Sequence, residues 1–245
     1  LFMATAQAQD FIVDSTIDTV DVVPGDTFCV DAAGNCTLRA AIQEANALAG
    51  LDTITLPAGV FQLSLTSTGV DTDAIGDLDI TEDLIITGAG SGAVAISTII
   101  DGGDLDRVFD IAPNGVPLSA TFNRLAIRNG TASSASGGGI RINLGTVVLN
   151  DCSLTGNHAD SSGGAISNAG NLTLNRCTLS ANTTSISGGG LYNVSNATLN
   201  NTTVSGNTAT TSGGGLYNAT TATLLHATIA SNSATSGGGL YSTGT

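Results

Sequence analysis

The sequence predicts a parallel β-helix, and three observations carry that expectation. The phrase SGGGI, or a one-residue variant of it, begins at Ser136, Ser162, Ser187, Ser212 and Ser236, with starts 26, 25, 25 and 24 residues apart. A fixed period in this range marks a solenoid whose units contact only their neighbours. Between the phrases, aliphatic residues alternate with Ser, Thr and Asn in short period-2 runs, which is a strand pattern and excludes a 3.6-residue helical face. A coil of about 25 residues is too short to hold a crossover helix, but it fits three short strands and three bends.

Taken in chain order, residues 1–9, LFMATAQAQ, read as the end of a secretory signal peptide with an Ala6-Gln7-Ala8 cleavage pattern, and are set aside from the fold. Residues 10–50 read as an N-terminal cap region. In it, Cys29 and Cys36 bracket the turn-rich VDAAGN, and a secreted chain would join them in a disulfide contributing roughly 2 to 3 kcal/mol through loop entropy. Thr37 is an expected N-cap, Leu38, Ala41, Ile42, Ala45 and Leu48 share one helical face, and Gly50 can end the helix. Such a helix, laid over the first coil, hides its apolar end and its unpaired strand edges.

The β-helix is expected over residues 51–245, continuing beyond 245. Early in it, DTDAIGDLDITE places Asp71, Asp73, Asp77, Asp79 and Glu82 at the acidic positions of a 12-residue calcium loop, so calcium is the one cofactor to expect, if any. The competing reading is a polar loop followed by a strand over 77–80. Asp101, Asp104 and Asp106 form a second, poorer acidic group.

Stacking the repeats at 25 residues aligns inward columns Leu149, Leu174, Leu199, Leu224 and Cys152, Cys177, Thr202, Ala227. Cys152 and Cys177 fall on adjacent coils with parallel Cβ vectors, a geometry that favours free buried thiols over a bridge. Asn157, Asn182, Asn207 and Asn232 form a column suited to left-handed bends and to an amide ladder up the stack. An outward column runs Asp151, Arg176, Asn201, His226, where an acid and a base meet as a surface ion pair. His158 stands in another column, in a polar turn. Tyr192, Tyr217 and Tyr241, with Asn193 and Asn218 beside them, form an aromatic row whose faces could stack on sugars.

The run CTLRAAIQEANALAGLDTITLPAGVFQL from Cys36, then GDLDITEDLIITGAG, DRVFDI, LAIRNGTA and the GGGI repeats, resembles the bacterial proteins with a CSLREA-type N-terminal domain and right-handed parallel β-helix repeats. The resemblance covers nearly the whole mature chain and implies an all-β, right-handed solenoid that is secreted or displayed at a surface. Thr37 stands where that family has Ser and Ala40 where it has Glu, so the reciprocal capping contact is not expected. The GGAI at Gly163 and the SGN turns are also similar to repeats of chlamydial polymorphic outer membrane proteins, which are adhesins.

Charge narrows the function. The net charge of −14 comes from 20 acidic residues against six Arg, and no Lys is present. With no basic cluster to neutralise phosphates, nucleic acid and anionic membrane are excluded as partners. No stretch is apolar enough to span a membrane. The constellations of pectate lyases and polygalacturonases are not evident either, with no Asp-Asp pair, Gly-His-Gly or basic groove, so no catalytic residue is assigned. The expectation is a secreted or surface structural and adhesive solenoid; a glycan-binding module or a polysaccharide lyase or hydrolase is the alternative. Because the sequence stops inside a repeat at GGGLYSTGT, it also suggests further coils or head-to-tail self-association into fibres.

Overall fold

The computed structural model describes residues 8–66, 74–90 and 96–245. The strands form four parallel sheets, one more than the three expected, the extra one drawn from four of the later coils. In one coil these are Thr146–Asn150 in sheet I, Ser153–Thr155 in sheet II, His158–Ala159 in sheet III and Ile166–Asn168 in sheet IV. Sheets I, II and IV hold eight, seven and seven strands, whereas sheet III holds four two-residue strands. Pairing is in register from coil to coil, as with Leu149 beside Leu174 and Leu154 beside Leu179. Every strand therefore repeats its environment one coil later, at the usual inter-strand spacing.

The inward columns make a single core. Leu149, Leu174, Leu199, Leu154, Leu179, Ile166, Leu191 and Leu216 are fully buried. On the last coil, at the end of the stack, Leu224 and Leu240 are exposed instead.

Corners are made by single left-handed residues in columns. Arg124, Asp151, Arg176, Asn201 and His226 turn sheet I into sheet II with φ between 49° and 57°. The next column is Asn129, Gly156, Ala181, Gly206 and Ser231. The bend therefore lies one residue before Asn157, Asn182, Asn207 and Asn232, which leaves these asparagines free to point inward rather than to make the turn. In the Ser-Gly-Gly-Gly phrase, Gly188 has φ +72° and a Cβ on Gly189 would meet the Gly214 carbonyl at 2.4 Å. The phrase persists because backbone stacks directly on backbone there.

The helix spans Leu38–Ala47 and the Thr37 side chain accepts from the Ala40 amide, while Leu48, in extended conformation, ends it before Gly50. Arg39, Gln43 and Glu44 are buried as well as the apolar face, so the helix is covered on both sides. Asp10–Ile12 heads sheet I beside Asp52–Thr55. Gln9, expected in the leader, bonds to Asp52 and Thr53.

Candidate functional site

The acidic N-terminal third is held by buried ion pairs and carboxylate-to-amide contacts. Arg39 reaches Asp18 at 2.7 Å and the carbonyls of Gly76 and Asp77 at 2.8 and 3.1 Å. Asp18 also accepts the amides of Ser64 and Leu65, Asp21 that of Val30, and Asp31 those of Ala33 and Asn35. The last two lie within the loop closed by the Cys29–Cys36 disulfide. Hydrogen bonds from the Asn35 amide and the Thr19 hydroxyl hold the Asp31 carboxyl below its usual range. Glu44 accepts the amides of Gly25 and Thr27, yet burial pushes its pKa up. These acids are turn acceptors, a role that charge counting does not reveal.

The calcium-loop segment divides. Asp71 and Asp73 lie outside the described residues. Asp77 is buried against Arg107 at 3.1 Å, Asp79 sits on the strand Leu78–Ile80, and Glu82 is exposed. Within the second half of the segment, Leu78–Ile80 is a strand and not part of a loop. Asp79 pairs in register with Asp110 on the next coil, so an Asp-Asp pair is present after all. Asp77, Asp79 and Asp110 carry oxygens within 4.8 Å of one another. Arg107 and Arg141 already engage this group, and Asn143 donates to Asp110 at 2.6 Å. The donor set is that of an ion-pair network. The second acidic group also disperses: burial would raise Asp101, but the Gly103 amide, Asn129 and Arg128 outweigh it and lower its pKa.

Beyond Arg176 no Asp, Glu, Lys or Arg occurs, and amides take over. Asn157, Asn182 and Asn207 each donate to the next Asn of the column at 3.0, 2.9 and 3.0 Å. A second buried ladder, Asn168 to Asn193 to Asn218, has steps of 2.7 Å. Asn193 and Asn218 therefore face inward and are not part of a surface beside the tyrosines. The period-2 alternation Leu191, Tyr192, Asn193 carried that signal. On the outside of sheet I the direction reverses, Asn200 donating to Asn175, then to Asn150 and Asn123. Asn200 Oδ1 is buried without a hydrogen-bond partner, because Leu225 occupies the next rung.

Cys152 and Cys177 are free and buried, and the single S–H of each has two carbonyls within reach, as the Thr202 hydroxyl has in the same column. Burial raises the Cys152 thiol pKa. Asp151 and Arg176 form a bidentate pair with both contacts at 2.7 Å, which lowers the Asp151 pKa. His158 is not isolated, since Asp160 and Thr183 flank its ring.

The tyrosines stack on one another, with centroids 4.9 and 5.4 Å apart and planes 20° and 14° from parallel. Both faces of Tyr217 are therefore covered, and the row shows edges and hydroxyls to solvent. The register of sheet IV extends this row into one outward column: Asp79, Asp110, Arg141, Ser167, Tyr192, Tyr217 and Tyr241. Coil lengths differ in its first half, so spacing alone did not align it.

Stacked in-register coils, amide ladders and the absence of a helix in each repeat define a β-solenoid. The family model described as right handed beta helix region matches residues 85–245, and the chain belongs to that family, with about 26 residues per turn. Neither a curated protein nor a solved structure matches the chain. No described helix is long and apolar enough to cross a membrane.

Proposed function

We propose that this protein is a secreted or surface-displayed structural and adhesive β-solenoid. The observation that carries the reading is the outer surface of the later coils of sheets I and II. Thr173, Thr198 and Thr223 form one row and Thr178, Thr203 and Thr228 another, with asparagine rows beside the first. Uncharged rows that recur on three successive coils match an extended surface better than a small molecule. A described hollow agrees with this: about 450 Å³ in volume and shallow, it is lined by Asp83, Ser119, Leu144, Thr146 and neighbours, without a nucleophile and base in contact. Secretion is supported by the Cys29–Cys36 disulfide, since such bonds persist in oxidising compartments, and by the leader-like first residues. The resemblance of the Cys36 to Leu63 run to CSLREA-type proteins points the same way.

Antibody labelling of intact cells of the producing organism, with fractionation of the medium, tests the reading. Labelled surfaces or protein in the medium are expected; confinement to the cytosol would overturn it.

A further inference from the structure

The outward column of sheet IV is a ladder of planar groups with one rung missing. Tyr241, Tyr217 and Tyr192 stack at about 5 Å per coil, and the next residue in register is Ser167, followed by Arg141. Tyr192 keeps the face toward Ser167 free of aromatic neighbours. At the spacing of the ladder itself, the room between Tyr192 and Arg141 is that of a single ring. Three groups around it are unspent. The Ser167 hydroxyl is half-buried and bonds to no described residue. Arg141 commits Nε and Nη2 to Asp110, so three of its five N–H donors have no described partner, and its side chain is 34% exposed. Tyr192 is itself partly desolvated, and burial raises its pKa.

We infer that this notch binds one neutral hexose ring of a polysaccharide, its C–H face against Tyr192 and its hydroxyls against Ser167 and Arg141. An aromatic side chain from a partner protein would fill the same thickness, but it would leave the serine and arginine groups without partners. An acidic sugar is disfavoured because Asp77, Asp79 and Asp110 outnumber Arg107 and Arg141 beside the notch. The inference deepens the adhesive reading above by naming what is held and where.

Affinity electrophoresis of the whole chain through gels containing glucomannan, galactomannan, mixed-linkage β-glucan, dextran or polygalacturonate tests it. Retardation by at least one neutral polymer and not by polygalacturonate is expected. Ser167→Tyr completes the ladder, so it should fold with an unchanged or raised urea midpoint while its affinity falls at least tenfold; Tyr192→Ala should lose affinity similarly. Retardation by none of the neutral polymers, preference for polygalacturonate, or full retention by folded Ser167→Tyr would overturn the inference. A protein found at the cell surface that binds no polymer would remove the notch and leave the proposed function standing.

Discussion

The coils up to Arg176 and those beyond it solve one problem in two ways. In the first region, neighbouring coils are tied by charge: Asp101 to Arg128, Asp110 to Arg141 and Asp151 to Arg176. Amide rungs already run beside these pairs, from Asn175 to Asn150 to Asn123 and from Asn157 to Asn182, and beyond Arg176 they continue without any ion pair. A carboxylate only accepts and a guanidinium only donates, so a run of ion pairs continues only where acid and base alternate from coil to coil. An amide does both, so the same residue can recur on every coil and continue the chain of bonds. Charge suits the irregular start, where each junction is different; amides suit uniform repetition. On sheet I, Asn200 shows where this device ends, its oxygen orphaned by Leu225, while the inner ladders run on to Asn218 and Asn232.

The contrast can be broken at the cap. Arg39→Ala leaves Asp18 buried without its counter-ion, with only the Ser64 and Leu65 amides as described donors, and should cost about 3 kcal/mol in urea unfolding. In the amide region, Asn182→Ala takes the acceptor from the Asn157 backbone N–H and from one Asn157 side-chain N–H, while the other keeps the Ile127 carbonyl, and it removes a donor to the Leu154 carbonyl. A loss of about 3 kcal/mol is expected by the same measurement; a loss below 1 kcal/mol would mean that water replaces the ladder. Extending the device should help: Leu225→Asn offers a donor to Asn200 and should add roughly 0.5 to 1 kcal/mol.

Acid separates the regions without mutation. Asp101 and Asp151 have lowered pKa values, so their stabilisation is present above the unfolded value, about 4, and is lost as pH falls through the folded one. Glu44 and Asp52 are raised by burial and act oppositely, favouring the fold at low pH and losing that contribution as pH rises. No acidic residue follows Asp160. Between pH 6 and 3, hydrogen exchange corrected for intrinsic rates should show falling protection around residues 98–155 and constant protection around residues 191–218. Uniform loss across both would show that the coils unfold as one unit. The smallest effect belongs to Arg176→Ala: the pair is exposed, so a small loss is expected in urea unfolding, shrinking as salt is raised.

The repeating half was legible because periodicity repeats environment. Once Ser162, Ser187 and Ser212 were aligned, the positions of Leu174, Cys177 and Asn182 followed, and the structure keeps each in its column. Period-2 alternation also contained the inward asparagines 168, 193 and 218, although their position next to Tyr suggested an outer surface. The sequence alone thus determined the solenoid, its core columns and the helix over its end. Tertiary structure alone decided the rest: that Arg39 meets Asp18 and that Asp79 meets Asp110. The physical reason is that these contacts join residues at unequal separations across loops of different length. No period records such contacts, and opposite charges attract wherever the folded backbone brings them together.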